Sequence, residues 1–118
     1  MLPHSARLTE RRSFERVYQS GIYYVAPAVT LHVLKKDAAE PTKTGVVASR
    51  KLGVIARRNR QKRRIRAICR ALLHSIKPGY DLVWVARPAL IEINAERLAR
   101  QMWTLLKQGS VLSEAVDG

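Results

Sequence analysis

The 118-residue sequence has a single cysteine, Cys69, so no intramolecular disulfide can form. That usage suits a reducing compartment, and a cytoplasmic location is expected. No apolar run reaches the ~18 residues a membrane-spanning helix needs. The N-terminal MLPHSARLTERRS lacks the apolar centre of a signal peptide. There is no internal repeat and no glycine-rich phosphate loop. His4, His32 and His74 stand far apart, without HxH or HxxxH spacing, and a lone cysteine excludes a thiolate zinc site. The nine acidic residues fall mostly in turns, helix starts and the tail, and no close pair suggests a two-metal nuclease. No catalytic residue and no protein-borne metal site are therefore expected.

Acidic residues are not only few but also unevenly placed. The chain carries a net charge of +13 from 22 basic and 9 acidic side chains. The window from Pro41 to Tyr80 holds twelve Lys/Arg and no Asp/Glu, so it supplies +12 and the rest of the chain only +1. Within it, Arg57–Arg70 (RRNRQKRRIRAICR) has eight cations, seven of them arginine. A charged face kept only for solubility normally interleaves acids for i,i+4 pairing. Guanidinium forks hold phosphates bidentately and stack on bases. The segment therefore points to a polyanionic partner, nucleic acid ahead of an acidic membrane.

The length suits one domain over residues 1–118, ordered over about 7–108 with a frayed tail at 109–118. Thr9 or Ser13 can cap a short helix, SFERVYQSG, that ends at Gly21. Gly21–Val25, Ala28–Lys36, Thr44–Arg50 and Tyr80–Arg87 read as strands. Asn94 can cap a last helix, Ala95–Lys107, whose inward stripe includes Leu98, Met102, Leu105 and Leu106. The order α-β-β-β-α-β-α makes the basic segment the crossover of a β-α-β unit, and argues for an α/β sandwich. Such crossovers are nearly always right-handed.

On a helical wheel Ile65, Ile68, Cys69, Leu72, Leu73 and Ile76 fall within about 140° of arc, a core-facing stripe. Arg60, Arg63, Arg64 and Arg70 lie opposite. Arg58, Gln61 and Lys62 share the side of the stripe, and unpaired charge is not buried. The first turns are therefore expected to overhang the core, with cations around most of the circumference. Phe14, Val17 and Tyr18 share one helical face. For the two aromatics the residues alone favour core over base stacking by about two to one. His32, on the strand face opposite Leu31, reads either as a solvated side chain or as a base-stacking one.

Lys51-x-Gly53 followed by Arg58-Asn59-Arg60-x-Lys62-Arg63-x-x-Arg66 resembles the RNR motif of the bacterial ribonuclease P protein subunit. Arg7-Leu8, Ser13-Phe14-x-x-Val17-Tyr18-x-x-Gly21, Gly45–Ser49 and Tyr80–Pro88 are similar to other stretches of that family, so the likeness spans most of residues 7–107. The chain departs from the pattern at Ile55-Ala56, at Ala67 where Glu is common, and at His32 where an aromatic is expected.

The resemblance implies a two-layer α/β (α+β) sandwich, with a four-stranded sheet and a left-handed β-α-β crossover through the RNR helix. It implies the protein subunit of a ribonucleoprotein endoribonuclease that removes the 5′ leader of precursor tRNA. Catalysis would lie with the RNA and its Mg²⁺, and the protein would broaden substrate range. Arg58, Asn59, Arg60, Lys62, Arg63 and Arg66 would contact the catalytic RNA or nearby substrate, with Lys51 and Arg57 assisting. Asn59 would either hydrogen-bond a base or 2′-hydroxyl, or hold the loop-to-helix junction. Phe14, Tyr18 and His32 would line a cleft for the leader, which raises Phe14 and Tyr18 to about even odds of stacking on bases. No membrane contact and no obligate protein partner are expected.

Overall fold

The computed structural model describes residues 3–113. Its elements are α1 (Arg11–Ser20), β1 (Ile22–Val25), β2 (Val29–Lys35), β3 (Lys43–Ala48), α2 (Ile55–Ala71), β4 (Tyr80–Ala86) and α3 (Ala95–Gln108). Short 3-10 turns at Arg50–Leu52, Leu73–Ser75 and Pro88–Glu92 stand before α2, after α2 and before α3. No helix among the described residues is long and apolar enough to cross a membrane.

The strands form one sheet in the order β1-β2-β4-β3. β1 and β2 are an antiparallel hairpin that sets Tyr23 opposite His32. β2 pairs antiparallel with β4, Leu31 opposite Trp84. β3 lies parallel to β4, Val46 opposite Trp84, and α2 makes the connection between them. Parallel neighbours need such a crossover, so the basic helix is held between the edge strand β3 and the interior strand β4.

Period-two alternation decides the two faces. Leu31, Val33, Val46, Leu82 and Trp84 join Ile65, Cys69, Leu98 and Met102 in the main core, so α2 and α3 form the layer packed on this face. Val83 on the other face meets Val17 and Leu8, with Phe14, Leu34, Val47 and Val85 around them. α1 lies across part of that second face and leaves the rest open. Asn94 caps α3 as its position suggests, its side-chain oxygen accepting from the Arg97 N–H at 2.8 Å.

Several local expectations change. α1 starts at Arg11 rather than Ser13: the Glu10 carbonyl accepts from the N–H groups of Ser13 and Phe14, so neither Thr9 nor Ser13 caps it. α2 starts at Ile55 and ends at Ala71. Leu73 and Ile76 therefore reach the core from the following 3-10 turn and strand lead-in. Residues 109–113 of the expected tail lie against the fold. Val111 and Leu112 are buried, the Lys77 N–H donates to the Val111 carbonyl at 2.8 Å, and Leu112 bridges to Ile76. Two apolar side chains closing the gap between α3 and the end of α2 hold this stretch in place. Residues 114–118 of the expected frayed tail lie outside the described residues.

Candidate nucleic-acid interface

The cations of α2 distribute over three sides of the helix because 3.6 residues make a turn. Ile65 and Cys69 face the core. On one flank, Lys62 and Arg66 line a groove of about 280 Å³ with Arg7, Phe14 and Gly45. On the other flank, Arg57, Arg60 and Arg64 line a cavity with Ile91 and Ile93. Asn59, Arg63 and Arg70 point outward and are exposed. The ion pairs among the described residues are Arg11–Glu15, Lys36 with Glu40 and Asp81, and Arg100–Glu96, and none involves α2.

The position of these cations works against the helix itself. The first turn carries the positive end of the macrodipole, where cations are destabilising by roughly 0.3–1 kcal/mol each. Here Arg57 and Arg58 occupy it, with no acid in the first turn and no side-chain cap at Val54. Stability does not account for that arrangement, whereas a bound polyanion would reverse its sign.

Two residues depart from the expected exposure. Gln61, expected to overhang, is only 4% exposed and continues the inward stripe. Its polar head is satisfied by Arg64, whose Nη1 donates to Gln61 Oε1 at 2.9 Å. Arg64, expected outward, also donates to the carbonyl of Leu90 at 2.7 Å and to that of Ile93. It therefore fastens α2 to the Pro88–Glu92 turn instead of projecting into solvent. The overhang holds for Arg57, Asn59 and Arg60, which are exposed, and less for Arg58 and Lys62, which are half-buried. Arg58 Nε is buried and has no hydrogen-bond partner.

Asn59 lies a full turn inside α2, exposed, so it does not hold the loop-to-helix junction. That task falls to Gly53. Its φ of 104° and ψ of −152° belong to a region essentially restricted to glycine, and an added Cβ would stand 3.2 Å from Arg57 Cδ. Lys51 is exposed in the preceding 3-10 turn.

The aromatic residues divide. Tyr18 is 45% exposed and meets His32 edge-on with ring centroids 5.0 Å apart. Tyr23 of β1, 64% exposed, lies on the other side of His32 at 5.6 Å. Sequence reasoning missed Tyr23. Its signal was the alternation within IYYV, which sends Tyr24 to the core and Tyr23 to the open face with His32. Burial pushes the Tyr18 hydroxyl pKa up and the His32 pKa down, favouring the neutral form of each ring. Phe14 is half-buried, packed against Gly45 and the second core, beside Lys62 and Arg66. The structure thus brings Tyr18 to His32, and Phe14 to the cationic flank of α2. Because Phe14 and Tyr18 share a face of α1, the two groups adjoin along that helix.

Among the described residues no three His, Cys, Asp or Glu side chains gather as a metal site.

Known proteins share the sequence pattern and the fold of this chain. The family model described as Ribonuclease P matches residues 2–109. A "Ribonuclease P protein component" from Symbiobacterium thermophilum is 37% identical over 106 residues, covering 90% of this chain and 92% of the relative. Among solved structures, the RNase P protein of Thermotoga maritima superposes with a TM-score of 0.77 at 26% identity, over 86% of this chain and 96% of that one. The Staphylococcus aureus RNase P protein, at 21% identity, shares the fold with a TM-score of 0.81 over 92% and 98% of the two chains.

Proposed function

Because this chain belongs to the ribonuclease P protein component family, we propose that it binds the catalytic RNA of that ribonucleoprotein through α2 and the 5′ leader of precursor tRNA through the aromatic cleft. Membership makes it a component of a tRNA-processing ribonuclease complex with an RNA partner. The finer assignment rests chiefly on one observation: the cations of α2 cover three sides of the helix, occupy its first turn, and have no acidic partner among the described residues.

In this reading Arg57, Arg58, Asn59, Arg60, Lys62, Arg63 and Arg66 dock on RNA, with Lys51 ahead of them. Arg64 is excluded, since its guanidinium is already committed. The leader, single-stranded and splayed, stacks on Tyr18, Tyr23 and His32 and passes its backbone toward Lys62 and Arg66. Phe14 supports the groove more than it stacks. Catalysis and its Mg²⁺ belong to the RNA, and the protein positions substrate.

Phosphate binding releases counterions, so affinity for the catalytic RNA falls linearly in log–log terms with salt. The test is a salt titration of binding with the wild-type chain and the Arg60→Gln/Arg63→Gln double variant. The variant should bind more weakly and lose about two from the salt slope, at an unchanged melting temperature. Equal slopes for both proteins would refute the assignment.

A further inference from the structure

On the flank of α2 turned away from the groove beside Phe14, a cavity of about 610 Å³ opens between the helix and the Pro88–Glu92 turn. Arg57, Arg60 and Arg64 line it together with Ala56, Ile91 and Ile93. Its volume lies in the range of roughly 300–1,000 Å³ typical of small-ligand sites.

The lining combines two chemistries. Arg57 and Arg60 are exposed and carry no ion pair or side-chain hydrogen bond among the described residues. They are free to meet an anion. Ile91 is 40% exposed in the same cavity, and Val54 and Ile55, just before Ala56 in the chain, are 72% and 65% exposed. Branched aliphatic side chains add nothing to phosphate recognition. They suit a ligand with an apolar face as well as a negative charge. Arg64 joins both sides of the cavity by its bonds to Gln61, Leu90 and Ile93, so the lining is formed before any ligand arrives.

We infer that this cavity takes one unpaired nucleobase of the RNA partner, its ring against Ile91 and Ile93 and its phosphate on Arg57 and Arg60. An unstacked base offers both an apolar face and an adjoining phosphate, and arginine planes receive either. The inference rests on α2 being the RNA-docking helix and extends it: the RNA engages both flanks of α2, with a base inserted on the side away from the aromatic cleft.

Ala56→Phe tests it by filling the cavity at an exposed helical position without altering charge. Affinity of the full chain for the catalytic RNA is measured across a salt series. The variant should bind about tenfold more weakly with an unchanged salt slope, because Arg57 and Arg60 are exposed and still hold the phosphate when the base is kept out. Arg60→Gln should weaken binding and lower the slope by about one. Wild-type affinity in Ala56→Phe, or a loss accompanied by a lower slope, would overturn the base pocket. If Ala56→Phe melts early, Ile91→Ser removes the aliphatic lining instead, and the same two outcomes apply. Failure of the wild-type chain to bind the RNA at all would overturn the docking assignment and the pocket together. Normal wild-type binding with an unaffected variant overturns the pocket alone.

Discussion

Replacing Arg64 by alanine should separate stability from RNA binding within one helix. Arg64 donates to Gln61 Oε1, to the Leu90 carbonyl and to the Ile93 carbonyl. Gln61 is buried, and the variant strands its side-chain oxygen at a cost of about 1–3 kcal/mol. The two carbonyls lose charge-assisted bonds as well, and Leu90 is itself fully buried. A net destabilisation of about 2–4 kcal/mol follows. At about 4 °C per kcal/mol for a domain of this size, the melting temperature should fall by about 8–16 °C. Arg63→Ala removes an exposed side chain without a partner and should change stability by no more than about 0.5 kcal/mol. Arg64→Lys should recover little, since one ammonium cannot reproduce a planar fork spanning three acceptors. The assay is thermal unfolding followed by circular dichroism, paired with RNA affinity measured well below the transition. An Arg64→Ala protein that melts like the wild type but loses RNA affinity as Arg63→Ala does would refute the fastening role.

Tyr23→Ala should weaken binding of precursor tRNA about tenfold, by loss of one stacking ring, and leave binding of leaderless tRNA unchanged; equal losses for both substrates would remove Tyr23 from the leader cleft. Gly45→Val places a Cβ 2.5 Å from ring carbons of Phe14 and should destabilise the fold by about 1–3 kcal/mol, measured by urea unfolding; an unchanged midpoint would show that Phe14 moves freely. His32 has its folded-state pKa lowered by burial, so the folded chain binds fewer protons there than the unfolded chain. That contribution to stability is present above the unfolded pKa near 6.5 and is lost as pH falls through the lower folded value. Melting temperatures of wild type and His32→Gln should therefore diverge between about pH 7 and pH 5, the wild type losing more; parallel curves would mean that His32 is not desolvated.

Much of this fold is legible in the chain because its strands obey simple alternation. Val29, Leu31 and Val33 point one way and Thr30, His32 and Leu34 the other, as β2 shows. The α2 stripe was readable from Ile65 onward. The wheel set Gln61 on the side of the stripe, and it was the reading of burial from polarity that misjudged Gln61 and Arg64. A buried amide with a guanidinium partner breaks that rule, and the partner's other acceptors, Leu90 and Ile93, lie 26 and 29 residues away. Tyr23 was missed for a related reason. Only the register of β1 on β2 sets it beside His32, and register is a tertiary property. The motif arginines, in contrast, stood out because charge without acids is visible in any alignment-free reading of the chain.

The central claim is that this chain works by binding RNA and carries no catalysis of its own. Reconstitution tests it most directly: the purified chain is added to the catalytic RNA, and precursor-tRNA cleavage is followed at low Mg²⁺. The account predicts that the chain stimulates release of the 5′ leader, that Arg60→Gln/Arg63→Gln stimulates far less, and that the chain alone cleaves nothing. Absence of stimulation, or cleavage by the chain without RNA, would contradict it.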